Sequence, residues 1–171
     1  MTANTSGAHF STFRSPPSKA TGKVKCNCLP SHSLNSSKGA FIFSQALLPL
    51  LLSAAEGQPK YPPTLLFTGA TAAVKASANF ASFASAKFGL RALSQSLAKE
   101  FGPKGIHVGH IVADGVFDSD RGREYMGSSE GLMDTDEMAE AYWKLHTQGR
   151  RAWTWEIDLR PYLVIMSPFH S

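Results

Sequence analysis

A chain of 171 residues, 43% hydrophobic and 18% charged, is long enough for one globular domain with a real core. The net charge of +4 comes from one end: residues 1–55 carry Arg14, Lys19, Lys23, Lys25 and Lys38 and no acid, and the rest is nearly balanced, so a basic nucleic-acid-binding face on the folded part is not supported. Two cysteines are too few for a disulfide framework.

Residues 1–34 are rich in Ser, Thr, Asn, Pro and Lys without hydrophobic period, so we read 1–35 as a disordered basic arm. Its lack of acids faintly suggests organelle targeting, but its single arginine and missing amphipathic pattern leave a cytoplasmic chain as the expectation. Cys26 and Cys28 with His32 make three potential metal ligands, one short of a closed zinc site, and we read them as free thiols with no metal.

The run "KGAFIFSQALLPLLLSAA" at 38–55 is the most apolar of the chain. It falls short of the ~20 residues of a membrane span, and Ser44, Gln45 and Pro49 interrupt it, so a core or interface helix is predicted and no membrane partner. Its stretch Phe41 to Leu52 is expected to meet a second copy, with Leu48 and Leu51 on the contact face. Pro59, Pro62 and Pro63 then mark a loop.

"TLLFT" at 64–68 reads as a buried parallel strand ending at Gly69. A long helix runs from about Phe80 and is predicted to stop at Gly102-Pro103, the glycine serving as its C-terminal cap. "GIHVGHIVADG" is a second strand, 118–131 a Gly- and charge-rich connection, "DTDEMAEAYWKLHTQ" a helix with acids in its first turn, and "AWTWEIDLRPY" a last strand. Helix alternating with strand predicts an α/β fold, a parallel sheet with helices on its faces. Ligands bind such sheets at the carboxyl ends of the strands, which here gathers "TGAT" (68–71), the start of the long helix and "DGVFDS" (114–119) on one rim.

The long helix poses a chemical question. Lys87 sits in an apolar stripe of Phe83, Leu90, Leu97 and Phe101, and a lysine there is costly without a partner or a task. One turn earlier on the same face stands Phe83, a ring that can do no proton chemistry.

From about Ser36 to Tyr162 the chain resembles the C-terminal half of a short-chain dehydrogenase/reductase, an atypical subgroup, carried above all by "AKFGLRALSQSLAKEFGPKGIHV" with "TLLFTGAT" before it and the "DG" turn after it. The resemblance implies that 36–171 is a partial Rossmann-like, doubly wound parallel sheet. It implies an oxidoreductase using NADP or NAD on a carbonyl or hydroxyl of a small molecule, and a homo-oligomer formed through its two long helices. Lys87 matches the family lysine that binds the nicotinamide ribose. Phe83 stands at the position of the family tyrosine, whose phenol exchanges the proton. The family serine falls at Ala70, leaving the neighbouring Thr71 to polarise a carbonyl, and the family asparagine falls near Ser36, beside Asn35. Asp114-Gly115 replaces the usual Pro-Gly, and Gly115, Phe117 and Ser119 fall where the family holds the nicotinamide amide.

The family's glycine-rich G-x-x-x-G-x-G turn, whose amides hold the pyrophosphate, does not occur in this sequence. The expectation is therefore a truncated oxidoreductase site that binds cofactor weakly, the alternative being a non-catalytic remnant, a pseudoenzyme acting through helix-mediated self-association.

Overall fold

The computed structural model describes residues 30–163, with side chains from Ser36 onward. Helix α1 spans Pro30–Glu56, strand β1 Thr64–Thr68, helix α2 Ala81–Phe101, strand β2 His107–Ala113, helices α3 and α4 Asp120–Met126 and Thr135–His146, and strand β3 Glu156–Leu159. The strands form one parallel sheet in the order β1-β2-β3. Leu65 pairs with Val108 and Phe67 with His110, while His110 pairs with Glu156. Paired residues of a parallel sheet share a face, so Phe67, His110 and Glu156 form a row across all three strands.

Alternation within β1 divides the two layers. Leu65 and Phe67 are buried with Leu90, Leu97, Ala98 and Phe101 of α2, Ala55 of α1, Ile106 and Val108. Thr64 and Leu66 look the other way, toward Ala139, Tyr142, Trp143 and His146 of α4 across a shallow groove of about 500 Å³. Helix α4 is tied to β1 by Thr68 Oγ1 to the Tyr142 hydroxyl at 2.7 Å and Thr64 Oγ1 to His146 Nδ1 at 2.9 Å. Helices thus cover both faces of the sheet, and the chain is α/β, a partial Rossmann-like doubly wound sheet as expected.

The elements differ from the sequence reading in several places. Helix α1 begins at Pro30, inside the segment read as a disordered arm; residues 1–29, with Cys26 and Cys28, and the His32 side chain lie outside the described residues. The helix also continues through Pro49, so the apolar stretch Ser36–Glu56 is 21 residues, long and apolar enough by length and composition to cross a membrane, where the sequence reading stopped short of that length. Its outward face is not the expected one. Leu48 and Leu51 pack on the core, whereas Phe41, Ile42, Phe43 and Leu50 are exposed. The helix approaches α2 closely at Gly89, where an added Cβ would stand 3.4 Å from the Ser37 Cβ.

The end of α2 is also differently built. Gly102 stays right-handed at φ −54° and opens a 3-10 turn, Gly102–Lys104, containing Pro103. The glycine in the left-handed region is Gly105, at φ 87°, which reverses the chain into β2. In α4 the expectation of acids at the start is met by a capping residue before them: the Asp134 carboxylate accepts from the backbone N–H groups of Asp136 and Glu137.

Candidate active site

The carboxyl ends of β1 and β2 and the first turns of α2 form one rim. The buried stripe of α2 runs through Ala86, Leu90, Ser94, Leu97, Ala98 and Phe101, so Phe83 and Lys87 stand at its half-buried border rather than within it. From there Lys87 reaches the rim: its Nζ donates to the Thr68 carbonyl at 3.2 Å. Its ammonium also lies 5.7 Å from the centre of the Phe83 ring. Burial holds the Lys87 ammonium below the usual lysine range. An ammonium has three protons, so two donors remain beyond the Thr68 carbonyl. Lys87 therefore has partners, which answers half of the question its position raised.

Thr71 stands in a short 3-10 turn, Thr71–Ala73, directly after β1. Its hydroxyl donates to the Asp114 carboxylate at the end of β2. Asp114 in turn is ion-paired with Arg160, at 2.8 Å, just beyond β3. The structure thus brings Lys87, Thr71 and Asp114 to the same end of the sheet, with Ala70 beside them.

Beyond Asp114, the residues matched to the nicotinamide amide form a tight loop. Met133 N–H donates to the Val116 carbonyl and Asp118 N–H to the Met133 carbonyl, pairing Phe117 with Met133 in a one-residue parallel bridge. Gly115 is required there, since a Cβ would come within 2.8 Å of the Met133 side chain and 2.9 Å of Pro161. The Ser119 hydroxyl accepts from Gly122 N–H at 3.1 Å and caps α3. Its oxygen is thus occupied in holding the loop, while the Phe117 ring is 41% exposed.

Directly beneath the rim lies a group that sequence reading missed. His110 is 1% exposed in the middle of β2, and its Nδ1 meets Glu156 Oε2 at 2.8 Å. Arg91, one turn after Lys87 on α2, grips Glu156 with both arms of its fork, Nε to Oε2 and Nη2 to Oε1, each at 2.7 Å. That fork holds the Glu156 carboxyl below the usual carboxylate range. Burial pushes His110 below the ordinary histidine value; Glu156 pulls it up, and the charges of Arg91 and Lys87 push it down again. The signals were present in the sequence as a lone imidazole in the apolar strand "GHIVA" and two acids, Glu156 and Asp158, in "WEIDL", but nothing in the spacing shows which acid faces the imidazole or that the two strands pair at those positions.

A parallel half-sheet with a lysine, a hydroxyl and a carboxylate at its carboxyl rim defines a dinucleotide-fold protein of the doubly wound class. A family model described as short chain dehydrogenase matches residues 33–128, more than half of the chain, and the chain belongs to that family. Among solved structures, a short-chain dehydrogenase from Rhodopseudomonas palustris is 35% identical, with a TM-score of 0.55 over 74% of this chain and 49% of its own. The 3-ketoacyl-(acyl-carrier-protein) reductase from Brucella melitensis, solved with NADH, shares 20% identity at TM-score 0.59, over 75% of this chain and 55% of its own. A serine dehydrogenase in its closed form with NADP+ shares 14% at TM-score 0.67, over 86% and 62%. The last two show likeness of fold alone. Among curated proteins none matches. The chain spans roughly half the length of the solved structures it resembles.

Proposed function

We propose that this chain carries the nicotinamide end of a short-chain oxidoreductase site, acting on a carbonyl or hydroxyl group of a small molecule. The observation that carries this reading is the anchoring of Lys87 on the Thr68 carbonyl, at the same rim as Thr71 and Asp114. The residues fit a nicotinamide riboside. Lys87 keeps two N–H donors for the ribose hydroxyls. The Phe117 loop, fixed by its bridge to Met133, offers backbone groups and an exposed ring for the carboxamide end. The pyrophosphate is different, because the amide-rich glycine turn is not in the sequence, so affinity rests on the nicotinamide end and NADP is not distinguished from NAD. When bound, the nicotinamide supplies or receives the hydride.

The proton chemistry cannot run through position 83, where a phenyl ring has no exchangeable proton. Thr71 points its proton at the Asp114 carboxylate. A hydroxyl oriented so offers its oxygen lone pairs to the site, which suits accepting a hydrogen bond from a substrate alcohol better than polarising a carbonyl. The site is therefore shaped to bind a substrate alcohol at Thr71, with the Asp114 carboxylate accepting the Thr71 proton and Arg160 paired to Asp114.

Nicotinamide mononucleotide tests the reading, since it lacks the adenosine half. Saturation-transfer NMR should show it bound about as well as NADPH, and Lys87→Ala should abolish the signal. Equal binding by the Lys87→Ala protein would overturn the assignment.

A second reading, a non-catalytic pseudoenzyme acting through self-association, rests on one observation. Phe41, Ile42 and Phe43 lie 51%, 53% and 55% exposed at successive positions of α1, an apolar patch around that turn of the kind that marks a contact surface. The occupant we favour is a second copy of the chain, giving a homo-oligomer.

A further inference from the structure

We propose that His110 is a positioning residue for Lys87, and that the Arg91–Glu156–His110 chain makes the lysine's placement depend on pH. This deepens the nicotinamide reading, because Lys87 is the residue on which that reading rests.

The geometry is specific. The His110 ring lies directly under the β1 terminus: a Cβ built on Gly69 would collide with His110 Nε2 and stand 2.6 Å from Cε1. Gly69 is thus bare so that the ring can support the Thr68–Gly69 peptide from below, and the carbonyl of that peptide is the one Lys87 holds. The other edge of the ring is fixed by Glu156, which Arg91 locks in turn. With Nδ1–H donating to a carboxylate, the neutral ring is the Nδ1–H tautomer and Nε2 carries the lone pair. Nε2 is buried and meets no hydrogen-bonding group among the described residues.

Charge counting gives the switch. The charged groups bearing on the ring are Lys87 and Arg91 from α2 and Glu156 from β3. With neutral His110 there are two cations and one anion, and the anion is already committed to the Arg91 fork. A proton on Nε2 adds a third cation, with its N–H turned into the underside of the Thr68–Gly69 turn without an acceptor. Relief comes from the least tightly held of these groups: Lys87 makes one hydrogen bond, 3.2 Å, to a carbonyl beside its contact with the Phe83 ring, and is only partly buried. Protonation of His110 therefore releases Lys87 from Thr68 and empties the ribose-binding position. Acid disfavours that position even though the lysine itself stays charged.

The test reads Lys87 directly, without cofactor. Reductive methylation with 13C-formaldehyde gives each lysine a resolvable dimethylammonium signal, and Lys87→Arg assigns the relevant one. As the pH falls from 8 the Lys87 signal should show an inflection coinciding with that of the His110 ring Cε1–H, below the ordinary histidine value. In His110→Gln it should vanish. In Glu156→Gln it should move to lower pH, because the acid that raises the histidine's affinity for protons is gone. A flat Lys87 signal in the wild-type protein, an inflection unmatched by His110, one that survives His110→Gln, or one that rises in Glu156→Gln would each overturn the proposal. The wild-type coincidence carries the test by itself if a variant does not fold. Failure of nicotinamide mononucleotide to bind would count against the functional reading and leave this coupling standing.

Discussion

Helices α1 and α2 are both apolar and lie side by side, yet the chain treats them differently. Helix α2 buries Leu90, Leu97 and Phe101 against β1 and β2, and its polar residues Lys87 and Arg91 each find a partner on the sheet. Helix α1 contributes Ala55 to the core and rests Leu48, Leu51 and Leu52 on its border, but turns Phe41, Ile42, Phe43 and Leu50 outward. Hydrophobic content does not decide it, since the more apolar helix, α1, is the less buried of the two. The difference lies in what each helix meets: α2 crosses the sheet, whereas one face of α1 meets nothing else in the described residues. One helix is therefore a matter of stability, while the other leaves the apolar face that the homo-oligomer proposal uses.

Substitutions can break that comparison. Phe101→Ala in α2 should cost about 3–5 kcal/mol, the usual price of an emptied aromatic site in a core, read as a lowered denaturant midpoint. A loss under about 1 kcal/mol would show that α2 is not the main support of the sheet. Gly69→Ala comes next. Its methyl has to displace the His110 ring, and overpacking of this kind costs about 1–3 kcal/mol. Thermal melting should record the loss, and His110→Ala on the same chain should restore part of it by removing the collision.

Smaller still is the response to acid. His110 is held below its ordinary value, so the unfolded chain binds its proton more readily than the folded one. Stability should be level above pH ~6.5 and fall below it, with a slope of at most about 1.4 kcal/mol per pH unit from this group. Glu156, also held below its ordinary value, should add a loss of the same sign beginning near pH ~4.5, its ordinary range. Stability rising between pH 7 and 5 would contradict the His110 assignment, and stability rising below pH ~4.5 the Glu156 one. Last, Ile42→Glu on α1 should change chemical stability by no more than ~0.5 kcal/mol, as exposed positions do. It should shift the mass seen by light scattering on a sizing column toward the 18.5 kDa monomer. An unchanged mass would remove the exposed face of α1 from the association surface.

The legible parts of the fold were those set by local pattern. The strand Thr64–Thr68 and the helix Ala81–Phe101 stand where their apolar periods put them, and Lys87 reaches the rim that the order of elements implied. Gly102-Pro103 correctly marks the end of α2, with Gly102 as the residue after its last turn, but the left-handed turn that reverses the chain falls three residues on, at Gly105, because Gly102–Lys104 continues as a 3-10 turn. The outward face of α1 was assigned to Leu48 and Leu51 because a helix apolar over so much of its surface has no marked stripe to orient it. The His110–Glu156–Arg91 chain was invisible for another reason. It joins residues 65 positions apart, and their meeting depends on register between β2 and β3, which no single strand encodes.

The outer layer of the sheet, where α4 packs over Thr64 and Leu66, has an optical consequence. On the face opposite His110, the ring of the buried His107 stacks on Trp153 at 4.9 Å, nearly coplanar at 8°, while its Nε2 lies 3.0 Å from the Thr154 carbonyl. The chain's three tryptophans, Trp143, Trp153 and Trp155, all follow β2 in the chain. Intrinsic fluorescence is thus a local instrument in this protein. Trp143 and Trp155 are more than half exposed and report solvent, so a change in emission on unfolding originates chiefly where Trp153 parts from His107. Helix α1 contains no tryptophan and can dock, detach or pair with a partner while the emission spectrum stays still.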